Sequence, residues 1–128
     1  MYPHLFTTPG LGALAEELDA ERGRQLAKFG DQRHPDGTGP HVRFLGMSLS
    51  AIEGIVKNVT ERNNCIGEAI WLPILLEEVF EALAEPDPAQ LRAELVQVAA
   101  VCAAWISDID RRPGSTSAPA TTRAADHG

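Results

Sequence analysis

Between Leu11 and Ile109 apolar residues recur mostly at steps of three and four, a spacing that predicts helices and little else. The first helix is expected over Leu11–Phe29, with Leu14, Leu18, Leu26 and Phe29 near one face. Gly30 should stop it, and Lys28 sits in its last turn. A second helix is expected from about 51 to 62, where Ile52, Ile55, Val56 and Val59 keep helical spacing. Ser50 with Glu53 supplies a capping box for it, and Asn63-Asn64 an end. The third helix should begin near Trp71 or Leu72, because Pro73 fits only a first turn. Asp87-Pro88-Ala89-Gln90 then restarts the pattern, with Asp as N-cap, Pro at the first helical position and Gln at the third. Residues 31–47, punctuated by Pro35, Gly37, Gly39, Pro40 and Gly46, read as a loop or lid without secondary structure of its own. Residues 1–10 read as an arm, and 113–128, small and polar without an apolar face, as a disordered tail.

The third and fourth helices share an unusual feature. A connection as short as the one around Asp87 sets its flanking helices side by side and antiparallel, so residues equally far from the turn face each other. Glu81 then faces Glu94, and Glu78 faces Gln97. On the third helix Trp71, Ile74, Glu78 and Glu81 share a face; on the fourth, Leu91, Glu94, Gln97, Val101 and Trp105 do. Acids thus interrupt apolar stripes that ought to pack against protein, where a lone carboxylate is costly. No Lys, Arg or His occurs on this hairpin before Arg92. A hard divalent cation resolves the conflict, and carboxylate oxygens with one carboxamide oxygen suit Mg²⁺, with Mn²⁺ as a substitute.

Composition narrows the reading. A chain of 128 residues is one domain, with an apolar fraction ordinary for a globular protein. A net charge of −7 argues against a nucleic-acid backbone binder, and it makes a polyanionic ligand dependent on a cation for its approach. No apolar run approaching about 18 residues is evident, so no membrane partner is expected, and the N-terminus has no signal-type core, which favours the cytoplasm. Cys65 and Cys102 have no metal-binding spacing and read as free thiols.

Glu77-Glu78-Val79-Phe80-Glu81 followed by Glu94-Leu95-Val96-Gln97 resembles the EExxE…ExxD signature of the all-α nucleotide pyrophosphohydrolases, the MazG-like group. The segment ERGRQLAKFGDQRHPDGTG, from Glu21 to Gly39, together with ILLEEVFEALAE and LRAELVQVAAVCAAW, is similar to small single-domain actinobacterial and phage members. The likeness covers roughly residues 20 to 112 and is weak between 43 and 70. Gln97 departs from it, standing where that group usually has Asp.

The resemblance implies an all-α bundle built on the antiparallel hairpin and assembled as a homodimer or higher homo-oligomer. A large apolar surface on only about four helices points the same way. It implies hydrolysis of a nucleoside triphosphate or related nucleotide, between the α and β phosphates, to monophosphate and pyrophosphate. It assigns Glu78, Glu81, Glu94 and position 97 to Mg²⁺. Glu77 becomes either a general base that orients water or the partner of a cation on a neighbouring helix. Lys28, and with it Arg24 and Gln25, are drawn toward phosphate, although as a stripe with Glu21 they equally form a solvated face. His34, in a Pro-Asp-Gly turn, is a candidate ligand contact or a plain surface histidine. Trp105 or Trp71 could wall a base, or fill the bundle core.

Competing readings are a solvated acidic face and a non-catalytic nucleotide-binding or helical interaction protein with a site weakened by Gln97. A di-iron carboxylate bundle requires ExxH on facing helices. His4, His34, His41 and His127 all lie outside the third and fourth helices, so that reading fails.

Overall fold

The computed structural model describes residues 5–114; the expectations for His4, His127 and nearly all of the C-terminal tail fall outside them. The described residues are mostly helical: α1 (Leu11–Phe29), α2 (Leu49–Cys65), α3 (Trp71–Leu83) and α4 (Pro88–Asp110), with one short hairpin of β1 (Arg43–Phe44) and β2 (Met47–Ser48). The all-α expectation is met at this level. Among the described residues, 35–102 form one compact unit, and 5–34 with 103–114 another.

In the first unit α1 takes the expected bounds. Gly30 ends it at φ 72°, a conformation that suits glycine, and its N–H donates to the Leu26 carbonyl at 2.8 Å. Only the N-terminal turns of its apolar side are covered; Leu18, Leu26 and Phe29 are exposed, contrary to a fully packed stripe. Ser107 on the last turns of α4 donates its hydroxyl to the Pro9 carbonyl at 3.4 Å.

The second unit is organised by α2 against α3. These two helices pack most closely, whereas the backbones of α3 and α4 approach each other much less. The expected hairpin is therefore the looser pair, and α2 is the main packing neighbour of α3. Thr60, buried on α2, explains part of this preference: its hydroxyl lies 3.2 Å from the Pro73 carbonyl and 3.1 Å from that of Val56. Pro73 is itself buried, in the first turn of α3 as its missing N–H requires. Among the described residues the buried apolar side chains of the core are few, two leucines and two alanines: Leu49, Ala82, Ala84 and Leu91.

Two local expectations are corrected. The cap of α2 is Ser48, whose hydroxyl accepts from the Ala51 N–H at 3.2 Å, so the helix starts at Leu49 and Ser50 lies inside it. Ser50 instead uses its N–H on the Pro40 carbonyl, and the helix continues through Asn63-Asn64 to Cys65. The stretch 31–47 is irregular only to about residue 42. Beyond that Phe44 pairs with Met47, and Leu45 (φ 54°) and Gly46 (φ 79°) make a two-residue turn with both residues left-handed. Leu45 is 84% exposed at its tip. The irregular part is strapped to the end of α3: Gly39 N–H donates to the Leu83 carbonyl at 3.0 Å and the Thr38 hydroxyl to that of Glu85 at 2.6 Å. The Leu83 carbonyl, in the last turn of α3, is one of those a helix leaves without an internal partner.

The absence of a long apolar run also needs revision. Among the described residues α4 alone is long and apolar enough to cross a membrane by length and composition, with a mean hydropathy of 1.2. Its alanines and valines raise the average, although Glu94 and Gln97 interrupt it. Mostly buried core helices meet the same measure, but this stretch is largely exposed, and a single such helix is weak evidence for a membrane span.

Candidate metal centre

The acids come together because two local signals fix α3 and α4 in register. Pro73 sets the start of α3, and Asp87 sets that of α4: its carboxylate accepts the Gln90 N–H at 2.9 Å. Only half of the expected capping box forms. The Gln90 side chain turns forward to Glu94 Oε1 at 3.3 Å, and the Asp87 N–H is taken by Glu85 Oε2 at 3.0 Å. Leu91, one turn into α4, is buried and holds the helix on its inner face.

With this register Glu78 and Glu81 of α3 and Glu94 of α4 each offer a carboxylate oxygen, all within 4.8 Å of one another. All three side chains are part-buried. The looser approach of the α3 and α4 backbones leaves room for three long acidic side chains to converge between them.

The electrostatics of the group are one-sided. Burial pushes the Glu81 carboxyl up to about 6, helped by the charges of Glu78, Glu94 and Glu77 and by a hydrogen bond with Glu94. Glu78 is also raised, by burial first and then by Glu77 and Glu94. Every influence on Glu81 acts upward, so no cation among the described residues relieves it. Three carboxylates at this spacing could hold a metal ion, whose charge would offset the repulsion that raises Glu81.

The other expected residues fall into two groups. Glu77 is part-buried and close enough to Glu78 and Glu81 to raise both. Gln97, on the same face of α4 by spacing, is exposed, so the fourth expected corner is open to solvent. Arg24, Gln25, Lys28, His34 and Trp105 belong to the first unit. There Arg24 pairs with Glu21 at 2.6 Å, Arg22 donates to Gln25 at 2.9 Å, and Lys28 Nζ stands 5.2 Å from the Phe29 ring centroid. His34 is exposed, and Trp71 and Trp105 are part-buried.

Gln90 is a member of the site that the sequence reading spent on capping. Its i,i+4 spacing to Glu94 was the available signal, and its amide orients that carboxylate. No family model matches the chain, and neither a curated protein nor a solved structure matches it.

Proposed function

We propose that the chain is a Mg²⁺-dependent nucleotide pyrophosphohydrolase, converting a nucleoside triphosphate or related nucleotide to its monophosphate and pyrophosphate. The observation that carries this reading is the convergence of Glu78, Glu81 and Glu94 to within 4.8 Å, with no cation of the described residues relieving Glu81. The motif residues quoted above supply the reaction class.

Glu78, Glu81 and Glu94 would hold the ion, and the Gln97 carbonyl could contribute through water from its exposed position. Bound there, Mg²⁺ supplies neutralisation of charge on the phosphoryl oxygens. Gln90 keeps the Glu94 carboxylate aimed into the cluster. Glu77, beside the ligands, is assigned to the attacking water: it accepts the water proton as oxygen bonds to the α-phosphorus. The bond from that phosphorus to the bridging oxygen breaks, and pyrophosphate leaves.

Purified protein incubated with Mg²⁺ and a panel of unmodified and modified nucleotides should release pyrophosphate, and Glu77→Gln should slow that release while sparing metal binding. No pyrophosphate from any member of the panel contradicts the proposal. The exposed, uncharged Gln97 favours one second reading, a nucleotide-binding protein without turnover. Thermal stabilisation by nucleotide and Mg²⁺ in the absence of pyrophosphate release would select it.

A further inference from the structure

The outward side of α4 carries a pattern that the acid cluster does not use. Arg92, Val96, Ala99, Ala103, Ile106 and Asp110 follow one another at steps of four, three, four, three and four. That is the spacing of a stripe able to pack along another helix. The positions belong to one continuous helix, so helical geometry fixes their alignment. Five of the six are exposed and Ala103 is partly so; Val96 shows 53% of its surface and Ile106 37%.

The stripe is chemically palindromic about position 101. Arg92 and Asp110 are equally distant from it and opposite in charge; Val96 and Ile106 are equally distant and β-branched; Ala99 and Ala103 are equally distant and small. Reversed against a copy of itself, the stripe sets Arg92 opposite Asp110 of the second copy at both ends. Val96 then meets Ile106 twice, and alanine meets alanine at the centre, where the helices can come close. Each residue and its counterpart contact each other reciprocally, as a two-fold interface requires. A parallel arrangement would instead put Arg92 beside Arg92 and Asp110 beside Asp110. Leu95, substantially exposed, flanks the stripe near one end.

We infer that α4 is the interface of a two-fold homodimer in which two copies pair antiparallel through Arg92, Val96, Ala99, Ala103, Ile106 and Asp110. The inference goes beyond the hydrolytic reading and does not depend on it, because its test reads mass and cross-linking rather than turnover.

Sedimentation of the full chain should give twice the 13.8 kDa chain mass. Ala99→Glu, at an exposed position, should leave the helical circular dichroism intact and weaken association by roughly a hundredfold, since it buries unpaired charge at the centre. Arg92→Asp should weaken association by about tenfold, and adding Asp110→Arg should restore it. Register is read in a Cys65→Ser/Cys102→Ala background. Val96→Cys chains alone should not cross-link, because antiparallel pairing separates those positions by about 15 Å along the axis. Mixed with Ile106→Cys chains they should cross-link readily. A monomeric mass, a dimer indifferent to Ala99→Glu, or Val96→Cys self-cross-linking would each overturn the inference.

Discussion

Two helical stretches of this protein carry polar residues at the same three-and-four spacing and treat their charges in opposite ways. On α1 the stripe is mixed: Arg24 reaches Glu21 at 2.6 Å and Arg22 donates to Gln25. Between α3 and α4 it is of one sign, and burial together with neighbouring carboxylates raises Glu78 and Glu81. A stripe that satisfies itself needs nothing from outside. A stripe of converging acids leaves its repulsion unrelieved, and a metal ion is one group that could relieve it. Spacing does not separate the two cases, because it is shared; what separates them is the sign of the neighbours and the burial.

The contrast can be broken most sharply at Glu81. Glu81→Gln should lower Mg²⁺ affinity by about a hundredfold or more, with pyrophosphate release falling in parallel. The same change should raise the melting temperature of the metal-free protein, because it removes one of the mutually repelling acids. Titration calorimetry and thermal melts read the two effects. A variant less stable without metal would mean that the cluster is held by something other than a missing cation.

Gln97→Asp sharpens the comparison from the other side. It adds a fourth acid at the exposed corner and should tighten Mg²⁺ by roughly three- to tenfold, since affinity in such sites follows ligand charge. An unchanged titration would remove position 97 from the ligand set.

The smallest effect belongs to α1. Arg24→Ala breaks a pair whose side chains are about half exposed, so screening leaves about 0.3–0.5 kcal/mol at stake. A melting shift of about 2 °C or less is expected. A loss several times larger would show that the α1 stripe is not a self-sufficient surface.

The sequence made legible what local chemistry decides. Leu11–Phe29, the Pro73-limited start of α3, the Asp87 cap and the facing of Glu81 with Glu94 follow from capping, proline geometry and spacing, and all are present. Tertiary packing decided the rest. Ser48 and Ser50 both offer a serine cap, and the contact of the Ser50 N–H with Pro40 selects the earlier one. The apolar stripe of α2 suggested that Ile55 and Val59 pack, yet the helix turns Val56 and Thr60 inward, because Thr60 finds the Pro73 carbonyl. The Leu45-Gly46 turn was hidden because a leucine at positive φ carries no turn signal of its own. Within the site the three acids were visible from their spacing. The exposure of Gln97 and the turn of Gln90 toward Glu94 depend on how far apart α3 and α4 stand, which periodicity does not encode.

Protonation of Glu81 reports most directly on the acid cluster. Its folded pKa of about 6 lies above the ordinary carboxyl value, so its favourable contribution to the metal-free fold is complete below about pH 4.5 and is lost as pH rises through about 6. A cation bound to the charged form reverses that loss and must displace the proton at lower pH. Mg²⁺ titrated calorimetrically into the full chain, in two buffers of different ionisation enthalpy, reads the displaced proton directly. The account predicts one site of nearly constant affinity well above pH 6, weakening with measurable proton release as pH falls through 6, and lost in Glu81→Gln. Binding without proton release near pH 6, binding that survives in Glu81→Gln, or no binding at all would contradict it.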